Sequence, residues 1–596
     1  MDRKSIIILV VCFLMLAAWM PLMNRLYPPA PRRAASDAPA AAAAGTNTSV
    51  AAERPAPVTP AAPASVPHAF LTAGAPEVIL VLTNELARYT FTSHGGGLKT
   101  VELLKFPEIV GGRNATNNGS LATLNNLAPA PVLATSGGTS LEGDGIFHLT
   151  RTATGVRAEK ALTNGLVLVK AFELSTNYLV AASLSLTNTS AQSLALPVQQ
   201  WIIGTATPMN PQDNGLSVGM MWFNGASSTE IGQSWFDNRF LGCFPGTPRF
   251  EYRGGQTNVV WAAVHNQFFA LAAMPGDKAD EVICHPVELP RPLEWLLQAP
   301  TRTGPVKGFE TALVYPAQTL ASGQGTERHF YFFAGPKEYR ILDQIGNTFG
   351  NEIERVMGFS GFFGWFAKVL LLSMNGLQAT LHVGYGWAII LITLIIKLLF
   401  WPLTQASTRS MKRMQALQPQ MNELKAKYKD DAAKMNQKLM EFMKANKVSP
   451  LGGCLPMVIQ LPIFFGFYRM IQSAIELRGE GFLWVRDLAQ PDTLFHIHLG
   501  TFDLPFNLLP LLMGGTMLWQ SHLTPATPGA DPMQQKMMKY MPLMFLFMLY
   551  NFSAGLTLYW TVQNLLSILQ MKLTRAQPAV VPAVVAPPRK DSKGKR

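Results

Sequence analysis

GWAIILITLIIKLLFWPL, residues 386–403, is an almost unbroken apolar run that carries one lysine, Lys397, past its midpoint. A helix of roughly 20 such residues crosses a bilayer, and an ionisable side chain inside a span marks a functional position unless it reaches the headgroups. Lys397 has two readings. Pro402 lies close by, so the amine could snorkel from a helix end to the interface. Alternatively, Thr393 sits one turn earlier, so that Thr393 and Lys397 share a face while Ile390, Leu391 and Leu398 cover the others. Other apolar runs favour the second reading. Gln460 interrupts LPMVIQLPIFFGF (455–467), and Tyr559, Gln563, Asn564 and Gln570 interrupt a later run, as expected of helices that share a wet surface.

Composition agrees with a chain that is part membrane and part soluble: 596 residues, 48% hydrophobic and 14% charged. The net charge of +12 is concentrated after Lys397 and in the C-terminal tail. Basic segments that flank apolar spans are cytoplasmic anchors, so no direct nucleic-acid readout is expected. The cysteines at 12, 243, 284 and 454 are too scattered for a disulfide scaffold. If the soluble part is exported, Cys243 and Cys284 could pair, although spacing alone does not supply the geometry. His496 and His498 lack the cysteine or carboxylate company of a metal site, and no metal or cofactor is assigned. No nucleophile, base and orienter occur together, so the chain is not expected to be an enzyme.

In chain order, residues 1–27 follow Arg3 and Lys4 with SIIILVVCFLMLAAWMPLM (5–23), read as a retained transmembrane anchor; a cleaved signal peptide is the alternative. Residues 28–67 form an Ala/Pro-rich tether that cannot bury a core. From 68 to 335, short alternating runs such as GLVLVKAFEL, YLVAASLSLTN and RHFYFFAG predict a large all-β sandwich. Its Trp201, Trp222, Trp235, Trp261 and Trp295 are expected in the core. Residues 336–383 are read as an amphipathic interfacial helix region with Trp365 at headgroup depth, the alternative being a helix packed on the β domain.

Span 2 occupies 384–404. The polar segment 405–450 follows, with ten basic residues against four acidic, and a break at Asp430-Asp431 makes it a helical hairpin. Spans 3–6 are expected within 451–573, at about 453–474, 504–520, 534–551 and 556–572, with an acidic external loop at 476–503. The basic tail 574–596 returns to the cytoplasm. Counting back from the hairpin puts both termini inside and the β domain outside.

The order of one N-terminal span, an external β domain and five spans interrupted by a basic hairpin resembles the YidC/Oxa/Alb family of membrane-protein insertases, in its Gram-negative form. The residues that carry the likeness are LIIKLLFWPLTQAS (394–407), MQALQPQMNELKAKY (414–428), KVSPLGGCLPMVIQLPIFFGFY (447–468), DPMQQKMMKYMP (531–542) and FSAGLTLYWTVQNLLSILQ (552–570), with TFTSHGGGLKTVEL (90–103) in the β region. The resemblance implies an α-helical polytopic membrane protein of six spans, a five-helix core with a polar groove, and a large external all-β sandwich domain in the periplasm of a bacterial inner-membrane protein. It implies a groove of Thr393, Lys397, Gln460, Tyr559, Gln563 and Asn564, in which the family's usual arginine is replaced by Lys397. That exchange keeps the charge and gives up the fixed guanidinium fork.

The implied activity is insertion of nascent membrane proteins: a short hydrophilic segment enters the groove and the apolar segment moves into the lipid bilayer. Implied partners are the ribosome and components of the Sec translocon. Two other classes stand beside it. A secondary transporter would show internal repeats, which the two halves of the helical region lack, and an assembly scaffold would use the β domain and hairpin as docking surfaces without needing Lys397.

Overall fold

The computed structural model describes residues 74–575 apart from 111–119, 137–140, 212, 214, 240–245, 299–303, 429–430, 447–454, 500–501 and 524–531. The anchor expected at 1–27, the tether at 28–67 and nearly all of the basic tail lie outside the described residues.

Leu166–Leu174 and Leu179–Asn188 show why the β region folds as it does. Alternate residues are buried along both strands, so each presents one apolar face, and they pair antiparallel with Leu166 opposite Asn188. They belong to a nine-stranded sheet whose middle is Trp261–His265, Phe269–Pro275 and Gly325–Pro336. A second, four-stranded sheet runs Gln199–Ala206, Val306–Tyr315, Glu281–Leu289, Tyr252–Gly254, and its first two strands pack on the first sheet, forming a sandwich. Trp201, Trp222, Trp261 and Trp295 are buried, and Trp235 is half-buried against the core. Cys284 is a buried free thiol in the smaller sheet, and burial pushes its pKa up to about 12. Cys243 lies outside the described residues.

We label the helices used below α1 (Tyr339–Phe349), α2 (Gly361–Leu381), α3 (Tyr385–Leu399), α4 (Trp401–Ala416), α5 (Gln418–Lys427), α6 (Ala432–Ala445), α7 (Leu455–Ile471), α8 (Leu508–Leu523), α9 (Pro532–Leu549) and α10 (Ala554–Arg575). Helix α1 buries Leu342 and Ile345, and the chain beyond it returns to the β domain, where the Asn351 carbonyl accepts from the Trp261 indole at 2.9 Å. α6 starts at the expected break, with Asp431 accepting from the Lys434 amide at 2.9 Å as its N-cap.

Among the described residues, no single helix is long and apolar enough to cross a membrane, whereas α2 and α3 together are, with a bend of 116° between them. Of the six spans expected from apolar runs, the first lies outside the described residues, and none of the other five appears as a single qualifying helix. Helices α3, α7 and α8 have 15, 17 and 16 residues, which at about 1.5 Å per residue falls short of a hydrocarbon core of roughly 30 Å. α10 has 22 residues, but polar side chains interrupt it.

The region expected as a loop to 503 and a span from 504 is also different. A hairpin of Thr493–Leu499 and Phe502–Asn507 occupies it, and α8 starts only at Leu508. Side chains set that boundary. Asp492 accepts from the Leu509 amide at 2.6 Å, and Asn507 is fully buried, donating to the Tyr550 carbonyl at 2.9 Å.

Candidate functional site

Helix α10 is the hub of the helical region, in contact with α3, α7 and α8. Its polar residues divide between two faces. Tyr559, Gln563, Ser567 and Gln570 recur at helical spacing and form one stripe, while Thr557, Thr561 and Asn564 lie further round the helix.

The first stripe meets α3, α4 and α7. Lys397, 6% exposed, donates to the Ser567 hydroxyl at 2.7 Å, and that hydroxyl donates in turn to the Gln563 carbonyl at 2.8 Å. One turn on, Gln570 donates to the Thr404 hydroxyl at 2.7 Å. At the other end, the Tyr559 hydroxyl shares a hydrogen bond with Gln460, and its ring stacks on Phe467 at 4.2 Å between centroids. These groups form a polar seam through an otherwise apolar helix packing.

Thr393 is fully buried, one turn from Lys397 as expected, but its hydroxyl donates to the Ile389 carbonyl of its own helix at 2.6 Å. Asn564 is on the other face, where it donates to Thr516 of α8 at 3.2 Å. Lys397, Gln563, Tyr559 and Gln460 thus share the seam, Thr393 lines it with its polarity already satisfied, and Asn564 holds α8. Sequence reasoning missed Ser567, Thr404 and Thr516. Ser567 was readable from spacing, since it lies four residues beyond Gln563 in the same stripe.

The electrostatics of the seam are one-sided. Among the described residues Lys397 contacts no carboxylate, and its side-chain partner is the neutral hydroxyl of Ser567. A buried cation is ordinarily paired. The side-chain oxygen of Gln563 is also buried without a hydrogen-bond partner. Among the described residues the seam therefore holds a lysine amine without a counter-ion and a spare acceptor, which together can receive an acidic or peptidic group.

Comparison with known proteins agrees with both halves of the molecule. The profile of the 60Kd inner membrane protein family matches residues 376–579, and that of the YidC periplasmic domain matches residues 79–373. A protein of Geobacter sulfurreducens named Membrane protein insertase YidC is 33% identical over 503 residues, covering 81% of this chain and 83% of that relative. A Syntrophus aciditrophicus protein of the same name is 44% identical over 259 residues, a match that spans 43% of this chain and 44% of the relative's length. A solved structure of an active YidC insertase with its first transmembrane domain resolved is 18% identical, with 85% of this chain and 96% of that chain covered and a TM-score of 0.32. With its β domain and its helical region matching the two parts of one family in the same order, and most of a relative's length covered, the chain belongs to the YidC family of membrane protein insertases.

Proposed function

We propose that this chain inserts nascent proteins into the bacterial inner membrane by binding a short hydrophilic segment along the polar seam and releasing the adjoining apolar segment into lipid. The observation that carries this reading is Lys397, a buried ammonium whose side-chain partner among the described residues is a neutral hydroxyl. Such a charge attracts the acidic groups of an incoming segment, and Gln460, Tyr559 and Gln563 replace part of the water that segment gives up, while Thr393 and Asn564, already hydrogen-bonded, hold the walls in place. No covalent step or cofactor is needed. Transfer of apolar surface into lipid supplies the driving force, at roughly 25 cal/mol per Å².

In this reading the chain has six spans, five of them around the groove, with both termini and α4–α6 in the cytoplasm and the β domain in the periplasm. The excess of basic residues at 405–450 supports that orientation. The same segment and the tail offer cationic surfaces to the ribosome, and the chain works alone or beside the Sec translocon. The bend between α2 and α3 supports an α2 that lies closer to the bilayer plane than to its normal, on the outer surface.

The test is insertion of a single-span protein with an acidic external segment into liposomes that contain only this chain. Wild type and Lys397→Arg should insert it, and Lys397→Ala should lose about tenfold in rate, the effect of roughly 1.4 kcal/mol of lost attraction. Equal rates in all three would return Lys397 to a packing role, and no insertion by a folded wild type would favour a scaffold.

A further inference from the structure

A groove of about 760 Å³ runs between α1 and α2, away from the polar seam, lined by Tyr339, Arg340, Asp343, Asn347, Lys368 and Leu372 among others. Its two walls differ. α1 turns its apolar residues to the β domain and exposes Arg340, Gln344, Asn347 and Thr348. α2 buries Gly364, Ala367, Leu371 and Met374 on one side, yet Phe362, Trp365, Val369 and Leu372 on the other are 38%, 59%, 40% and 42% exposed. These four recur at helical spacing and make one continuous apolar strip. A strip of this kind on a helix near the bilayer surface calls for a lipid cover.

Lys368 flanks the strip, with its ammonium over the Tyr339 ring at 4.9 Å. Neither Lys368 nor Arg340 forms an ion pair within 4.0 Å among the described residues; Lys368 lies in the longer-range field of Glu354, and Arg340 in that of Glu338 and Glu476. The one carboxylate in the groove wall is already engaged: Asp343 accepts from the Tyr339 hydroxyl at 2.7 Å and from the Asn347 amide at 3.3 Å. Among the described residues the groove therefore presents two cations outside any close ion pair next to an uncovered apolar strip. A diester phosphate that carries acyl chains satisfies both at once.

We infer that the α1–α2 groove binds an anionic phospholipid, its phosphate between Lys368 and Arg340 and its acyl chains along Phe362, Trp365, Val369 and Leu372. The inference rests on the proposed placement of α2 at the outer bilayer surface. Because α1 packs on the β domain, through Tyr331 and Phe349, and α2 packs on α7, the bound lipid bridges the two halves of the molecule.

The test uses the full chain in phosphatidylcholine vesicles with a benzoylphenylalanine at Asn347 and trace fluorescent phosphatidylglycerol or phosphatidylcholine. Photolysis should label the chain with phosphatidylglycerol, saturably and in competition with the unlabelled lipid. Replacing both cations, Lys368→Gln with Arg340→Gln, should cut labelling by about tenfold, since each basic residue near the surface contributes on the order of a fewfold in affinity. The pair Lys368→Arg and Arg340→Lys should retain it, which separates lost charge from lost fold. Equal labelling by the two lipids, undiminished labelling of the double glutamine variant, or full competition by soluble glycerol phosphate would overturn the assignment. Insertion is measured in parallel in vesicles without phosphatidylglycerol, so that loss of the lipid site and loss of the insertase reading give different results.

Discussion

The ammonium of Lys397 and the hydroxyl of Ser567 meet at 2.7 Å, joining α3 to α10 across 170 positions of sequence. The two partners are not equivalent. Ser567→Ala leaves a buried ammonium without an acceptor and should destabilise the chain by about 1–3 kcal/mol. Lys397→Met removes the charge and its desolvation cost together while keeping the side-chain length, so it should be neutral or stabilising. Insertion should rank the other way, with Ser567→Ala keeping most activity and Lys397→Met losing it. Thermal unfolding in detergent and the liposome assay, run on both variants, decide the point; the same ranking in both measurements would remove the functional role of the charge.

Helices α2 and α7 touch at Gly466. A Cβ there would lie 2.8 Å from the Phe366 Cβ and 3.2 Å from a Leu370 methyl, whereas one at Gly376 of α2 would meet nothing within 4 Å. Gly466→Val should push the helices apart at a cost of about 1–3 kcal/mol. Gly376→Ala should be neutral or stabilise by up to about 1 kcal/mol through helix propensity alone. Unfolding midpoints of the two variants should therefore move in opposite directions or differ plainly in size.

How much of this was readable in the sequence depended on whether a residue's partner is local. Alternation along Leu166–Leu174 gave the strands, because a half-buried strand repeats every two residues. Asp431 gave the break before α6, because an N-cap acts within one turn. The apolar run around Leu504 hid the hairpin, since FDLPFN leads straight into LLPLLM and hydropathy cannot tell a strand followed by a helix from one long helix. The contacts of Asp492 and Asn507 that set the boundary come from the folded chain. The same limit applies to the site. Polar residues in α10 were visible as interruptions, but their division between a seam facing Lys397 and a contact facing Thr516 required knowing which helices flank α10.

Arg478, in the loop after α7, reaches the β domain and donates to the carbonyls of Pro107 and Glu108 at 2.8 and 2.9 Å. The same guanidinium lies near Asp213, Asp487 and Glu108, whose carboxyl pKa values burial pushes up. Arg478→Ala would strand two carbonyls and several partly buried carboxyls, a loss of about 3–5 kcal/mol in the contact between the two parts. Arg478→Lys should be intermediate, because an ammonium lacks the planar fork that spans neighbouring acceptors. Hydrogen exchange should report the loosening as faster amide exchange at 105–110 and 476–488, with the strands around Leu166 unchanged. Unchanged exchange at both segments would mean that other contacts hold the domain in place.

Lys337 is buried in the β domain, with its amine 3.1 Å from Nδ1 of His265. Burial pushes the lysine down to about 8 from its ordinary 10.5. The His265 ring is held well below its usual range by burial and by Lys337, with the carboxylate of Glu230 3.8 Å from its other nitrogen. Between about pH 8 and 10.5 the unfolded amine keeps a proton that the folded one has released, so folding stability should rise with pH through that window. Below pH 8 both forms are charged and the full penalty stands, on the order of 3 kcal/mol. His265 acts in the same direction at lower pH: below about 6.5 the unfolded ring takes up a proton that the native ring refuses, and stability falls further. Cys284 and Tyr89, each pushed up to about 12 by burial, oppose the trend above about pH 9 and about pH 10 respectively, since each retains a proton that its unfolded counterpart loses. The unfolding midpoint of the β domain should therefore climb by several degrees from pH 7.5 to 9.5 and level off beyond it. Lys337→Met should raise the midpoint at pH 7.5 and flatten the climb; a wild-type midpoint that falls across the same interval would show that Lys337 is neither as buried nor as poorly paired as its surroundings indicate.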